Sequence, residues 1–154
     1  MNRALFRMQL LVLLVVIAAV NGIANVYSLY WRFPWFDIPM HYAGGFWLGG
    51  FALWLLVRNM SDQDALKRSG RLIWIPLAAV LVIGGLGWEL FEFGVDTLVA
   101  VSTQNTLRDT VGDIFFDMLG SVSASWYVFS RLKAGAMPSA VVQWRTRGDL
   151  SKHA

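Results

Sequence analysis

Eight residues of this sequence have types and spacings that suit chemistry. Asp109, Asp113 and Asp117 recur every four residues; Glu89, Glu92 and Asp96 stand at i, i+3 and i+7; Asp37 and His41 are four apart. On an α-helix each set falls on one face. Carboxylates gathered beside an imidazole suit a divalent cation, proton sharing or general acid–base work. All three sets lie within or at the edge of apolar runs. A carboxylate in hydrocarbon costs at least ~2.5 kcal/mol even on the mildest insertion scale, so these faces need water, a cation or shared protons.

The elements that must position them follow from composition. At 154 residues, 56% hydrophobic and 14% aromatic, with a mean hydropathy of +0.52, the chain is too apolar for a soluble domain of its length. An all-α integral membrane bundle in one domain is expected. The absence of cysteine excludes disulfides, thiolate metal sites and cysteine nucleophiles. The net charge of +3 does not point to nucleic acid, because the basic residues occupy short flanks between apolar runs, as membrane topology requires.

Four transmembrane helices are predicted, over residues 5–31, 37–58, 72–98 and 109–132, in a transmembrane domain of residues 1–133. Each run is long enough for a ~30 Å hydrocarbon core, which needs about 20 helical residues. The first follows Arg3 and Arg7 as a signal peptide would, but its apolar character continues into Tyr27, Tyr30 and Trp31, so it reads as a retained span. The segment 134–154 is a polar tail. The amino-terminal flank, the loop after the second run and the tail hold 11 of the 13 basic residues, leaving Arg32 and Arg108 for the other side. The positive-inside rule then makes both termini cytoplasmic, and Tyr27, Tyr30, Trp31, Trp35 and Trp47 form an outer aromatic belt.

That topology gathers seven of the ten acids and His41 into the outer half of the membrane. At 1.5 Å per residue, His41, Glu92 and Asp113 sit about 6 Å inside their helix ends, and Glu89 and Asp117 about 10 to 12 Å. The three acidic faces are expected to meet around water or a cation. So many carboxylates cannot all ionise beside only Arg108 and His41, so either several stay protonated or a divalent metal supplies charge. Mg²⁺, Mn²⁺, Zn²⁺ and non-haem iron all suit such ligands.

Structural roles compete with these. Asp37 and Asp109 stand where helix N-caps belong. Asp96 is an interfacial acid, His41 alone would read as a core histidine, and Trp88 and Phe91 read as core or lipid contacts. Gly44, Gly45, Gly49 and Gly50 let another helix approach closely, within the chain or in a homo-oligomer.

The pattern Asp37-x-x-x-His41-x-x-Gly44-Gly45, the run Trp88-Glu89-Leu90-Phe91-Glu92, and Asp109-Thr110-x-x-Asp113-x-x-x-Asp117-x-x-Gly120 resemble the YjdF-like bacterial inner-membrane proteins, and more loosely VanZ-like proteins. The resemblance covers roughly residues 35–130. It implies a small multi-pass protein of the bacterial inner membrane with no assigned activity, linked through VanZ-like proteins to the cell envelope, and relatives with additional spans.

The function expected from the residues is a metal-dependent hydrolase or transferase acting on a lipid or lipid-linked phosphate at the outer leaflet. His41, Glu92, Asp113, Asp117 and Asp37 would hold a divalent metal ion, Glu89 or Asp109 would act as base, and Arg108 would meet the phosphate. Cation or proton transport is the competing class, and a non-catalytic envelope protein with a structural metal is the third.

Overall fold

A computed structural model describes residues 1–87, 90, 94 and 107–136, the side chains of 107–109 and 136 excepted. Among the described residues all regular structure is helical. Helix α1 (Arg3–Val26) begins where the Asn2 side chain accepts the Leu5 amide at 3.0 Å, a side-chain cap on an otherwise orphaned donor. It ends at Val26, short of Trp31, because Ser28 takes a left-handed conformation (φ 53°, ψ 41°) that breaks the helical path. A short α2 (Leu29–Arg32) and a 3₁₀ turn (Pro34–Phe36) lead into α3 (Asp37–Val57).

After α3 the chain turns through α4 (Asp62–Lys67), where Ser61 accepts the Asp64 amide at 3.1 Å. It continues through α5 (Ser69–Leu72) and α6 (Trp74–Ala79) into a π-helical stretch, Val80–Leu86. Where an uninterrupted helix over 72–98 was expected, the chain is segmented and widens over Val80–Leu86, while most of 88–98 lies outside the described residues. The last helix, α7 (Leu107–Ala136), runs for 30 residues. Among the described residues, three stretches are long and apolar enough to cross a membrane: Arg3–Val26, Pro34–Val57 and Ser69–Leu86.

Helices α3 and α7 run parallel and in backbone contact. A Cβ on Gly45 would overlap the Asp117 carbonyl, one on Gly120 would overlap the Tyr42 carbonyl, and one on Gly49 would overlap Ser121. Only residues without side chains allow this approach, so the glycine spacing on α3 serves the packing of this pair. Gly44 has open space around it.

Helix α1 is antiparallel to α3: Trp47 donates its indole N–H to the Leu10 carbonyl at 3.0 Å, and Arg3 donates from Nε to the Val57 carbonyl at 3.0 Å. The apolar core lies where the start of α1 meets the ends of α3 and α7, built on Phe6, Leu10, Leu53, Val57, Val128 and Leu132. The opposite end, where α3 and α7 begin, carries the polar residues.

Candidate functional site

Two helices build the described part of the site. Asp37 and His41 occupy the first turns of α3, and Asp113 and Asp117 lie in the first half of α7. Because the helices are parallel and glycine-packed, two i, i+4 pairs face each other at the same level. His41 Nε2 lies 3.4 Å from Asp37 Oδ1 and 3.6 Å from Asp113 Oδ1, while Nδ1 faces Asp117 Oδ2 at 3.5 Å. The imidazole is thus bracketed by three carboxylates on two elements.

Burial grades across the cluster. Asp117 is 5% exposed and lies deepest; the side chain of His41 is 13% exposed, that of Asp113 21% and that of Asp37 41%. The cluster is closed on the Asp117 side and open on the Asp37 side. Asp37, His41 and Asp113 each offer a ligand atom, and these lie within 4.8 Å of one another. Asp117 meets the other ring nitrogen, so the geometry separates it from this trio.

The third polar face cannot be compared in the same way. Glu89, Glu92 and Asp96 lie outside the described residues, as do the side chains of Arg108 and Asp109. The approach from that element is visible through Gly84, whose missing Cβ would stand 3.5 Å from Asp117 Oδ2. Gly84 lies within the π-helical stretch, a feature frequent at functional sites because its wide turn re-aims the residues beyond it.

Two features escape a reading for acids alone. On α7 the row begun by Asp113 and Asp117 continues at the same spacing into Ser121 and Ser125, both fully buried with hydroxyls that find no hydrogen-bond partner among the described residues. The i+4 period was the available signal. Near the open side, the Tyr30 phenol donates to Asn21 Oδ1 at 2.7 Å, tying α2 back to α1 beside Asp37. No sequence periodicity connects Tyr30 to Asp37, because the intervening turn sets their proximity.

Comparison with known proteins gives a family and no chemistry. One relative, an uncharacterized protein of Thermotoga maritima, is 28% identical over 110 residues, covering 70% of this chain and 54% of the relative. The chain therefore spans about half the length of that relative. No solved structure matches. The YjdF-like resemblance is consistent with the family that matches, whereas a relation to VanZ-like proteins is not among these findings. Residues 4–134 match the family model described as predicted membrane protein DUF2238, and the chain belongs to that family.

Proposed function

We propose that this protein holds a divalent cation at Asp37, His41 and Asp113 and uses it as a hydrolase or transferase on a lipid or lipid-linked phosphate. The observation that carries the reading is the geometry around His41. Tetrahedral bonds of 2.0–2.2 Å put ligand atoms about 3.3 to 3.6 Å apart, and the spacings from Nε2 to Asp37 and Asp113 are 3.4 and 3.6 Å. Asp117 faces Nδ1 at 3.5 Å, where it would accept the ring N–H and fix the orientation of a ligating imidazole. Three carboxylates around one imidazole leave excess negative charge even when His41 is protonated, and a cation relieves it.

Three protein ligands on an open-sided cluster leave a coordination position for water or substrate. Such an ion polarises a phosphoryl oxygen or lowers the pKa of bound water toward ~7. In this proposal Glu89 or Asp109 takes the proton and Arg108 meets the phosphate. The aromatic neighbours of the open side, Trp31 at 78% exposed and Trp35 at 62%, suit a membrane–water interface and hence a lipid substrate.

The proposal carries a topology. In it α7, packed against α3 through glycines, is taken as the fourth span, and the positive-inside rule then turns both termini to the cytoplasm of a bacterial inner membrane and the cluster outward. The test is metal binding by purified protein, read by elemental analysis and calorimetry. Wild type binds one ion, and Asp113→Asn weakens binding at least tenfold; equal affinity in the variant removes the ligand assignment.

A second reading, passage of a cation or proton, draws on the row Asp113, Asp117, Ser121 and Ser125, which extends about 18 Å along α7. Flux into liposomes that falls with Ser125→Ala as well as Asp117→Asn would favour it over catalysis.

A further inference from the structure

A cleft lies between the first half of α1 and the second half of α7, with Phe46 of α3 at its inner end. Its inner part, about 170 Å³, is lined by Phe6, Gln9, Leu10, Leu13, Phe46 and Tyr127. It shares Phe6, Gln9 and Tyr127 with a shallow recess toward the helix ends, where Asn2 and Arg131 are added. The lining therefore changes character along its length, from hydrocarbon at Leu13 and Phe46 to amide, phenol and guanidinium at the mouth.

The polar groups at the mouth remain available. Tyr127 donates to Gln9 Oε1 at 3.2 Å, which orients both across the gap. Arg131 stands over the Tyr127 ring at 6.0 Å from its centroid, and among the described residues it has no carboxylate partner. A guanidinium over an aromatic face and without a carboxylate partner among the described residues suits a phosphate. From Asn2 to Leu13 the cleft follows α1 for about 16 Å, roughly half the ~30 Å hydrocarbon core of a bilayer. Its length is that of one leaflet, with the charge at the outer end.

We propose that this α1–α7 cleft binds one acyl chain of an anionic phospholipid from the leaflet at the amino-terminal end of α1, with Arg131 taking the phosphate. The apolar floor accepts the chain by burying its methylenes, and Arg131 supplies the preference for negative headgroups. The site is distinct from the metal cluster, since it uses none of the cluster's residues and its charged mouth lies at the other end of the bundle.

Photo-crosslinking tests it. The protein is reconstituted in vesicles of phosphatidylcholine doped with a phosphatidylglycerol or a phosphatidylcholine that carries a photoreactive group midway along one acyl chain, and labelled peptides are mapped. The expected result is severalfold stronger labelling by phosphatidylglycerol, on the peptides holding Gln9 to Leu13, Phe46 and Tyr127. Arg131→Gln removes the headgroup preference, Arg131→Lys retains most of it, and Leu13→Trp blocks labelling by both lipids. Equal labelling by both headgroups in wild type, labels elsewhere, or crosslinks between two copies through this cleft would overturn the proposal. An unchanged elution volume in detergent verifies that each variant is folded, and Arg131→Lys keeps the charge assignment falsifiable if the glutamine variant is not.

Discussion

His41 has two nitrogens, and its carboxylate neighbours give them different work. Asp117 faces Nδ1 at 3.5 Å while Asp37 and Asp113 face Nε2 at 3.4 and 3.6 Å, so in the metal-bound state of the proposal the ring would keep its proton on Nδ1 and ligate through Nε2. This divides the acids that spacing alone grouped together. Asp113 is a ligand in the proposal, whereas Asp117 positions the imidazole. Loss of an outer-shell partner costs ~10- to 100-fold in metal affinity, so Asp117→Asn is expected to weaken binding within that range and less than Asp113→Asn does. Calorimetry with Zn²⁺ or Mn²⁺ on both variants checks the order; equal losses would return Asp117 to the ligand set. That Asp113 and Asp117 share one face was legible in their spacing. Which nitrogen each acid meets depends on the register of α3 against α7, and sequence periodicity carries no register between helices.

That register is set by small residues, so the elements carry their own prediction. Gly45 abuts the Asp117 carbonyl and Gly120 the Tyr42 carbonyl, backbone against backbone, while Gly44 faces open space. Gly45→Ala must therefore separate the helices, at an overpacking cost of about 1 to 3 kcal/mol, and it displaces Asp117 from His41 at the same time. Gly44→Ala gains helix propensity, worth about 0.5 to 1 kcal/mol. The thermal midpoint in detergent should fall for the first variant and rise or hold for the second, and metal affinity should fall only for the first. The close-packing role of these glycines could be read from their four-residue spacing, but which of the adjacent pair, Gly44 or Gly45, makes the contact could not. The break at Ser28 and the π-helical turn at Val80–Leu86 were also hidden, because the apolar run continues through both and hydropathy does not register backbone path.

Across the whole molecule, polar chemistry divides between two ends, and the end opposite the acidic cluster holds the bundle closed. Arg3 on α1 donates to the Val57 carbonyl at 3.0 Å, to the Met60 carbonyl at 2.7 Å and to Asp62 Oδ1 at 2.8 Å. One guanidinium thus satisfies carbonyls at the end of α3 and pairs with the first residue of α4, which joins three segments. Burial pushes the Asp62 carboxyl up, but the amino-terminal ammonium and Arg3 outweigh it and hold the group below its ordinary value of 3.8. A carboxyl with a depressed folded value contributes stability that is complete above its unfolded value and disappears as pH falls through the folded one. Asp62→Asn should therefore unfold at a lower temperature than wild type near pH 7, by the equivalent of about 1 kcal/mol or less for a partly exposed pair. The gap should begin to close as pH falls below the ordinary value of 3.8 and vanish once pH passes the lower folded value. Thermal melts of both in detergent from pH 7 to pH 3 measure this. A gap that persists unchanged at pH 3 would mean that the Asp62 side chain acts through shape rather than charge, and the Arg3 pair would lose its place in the closure of the bundle.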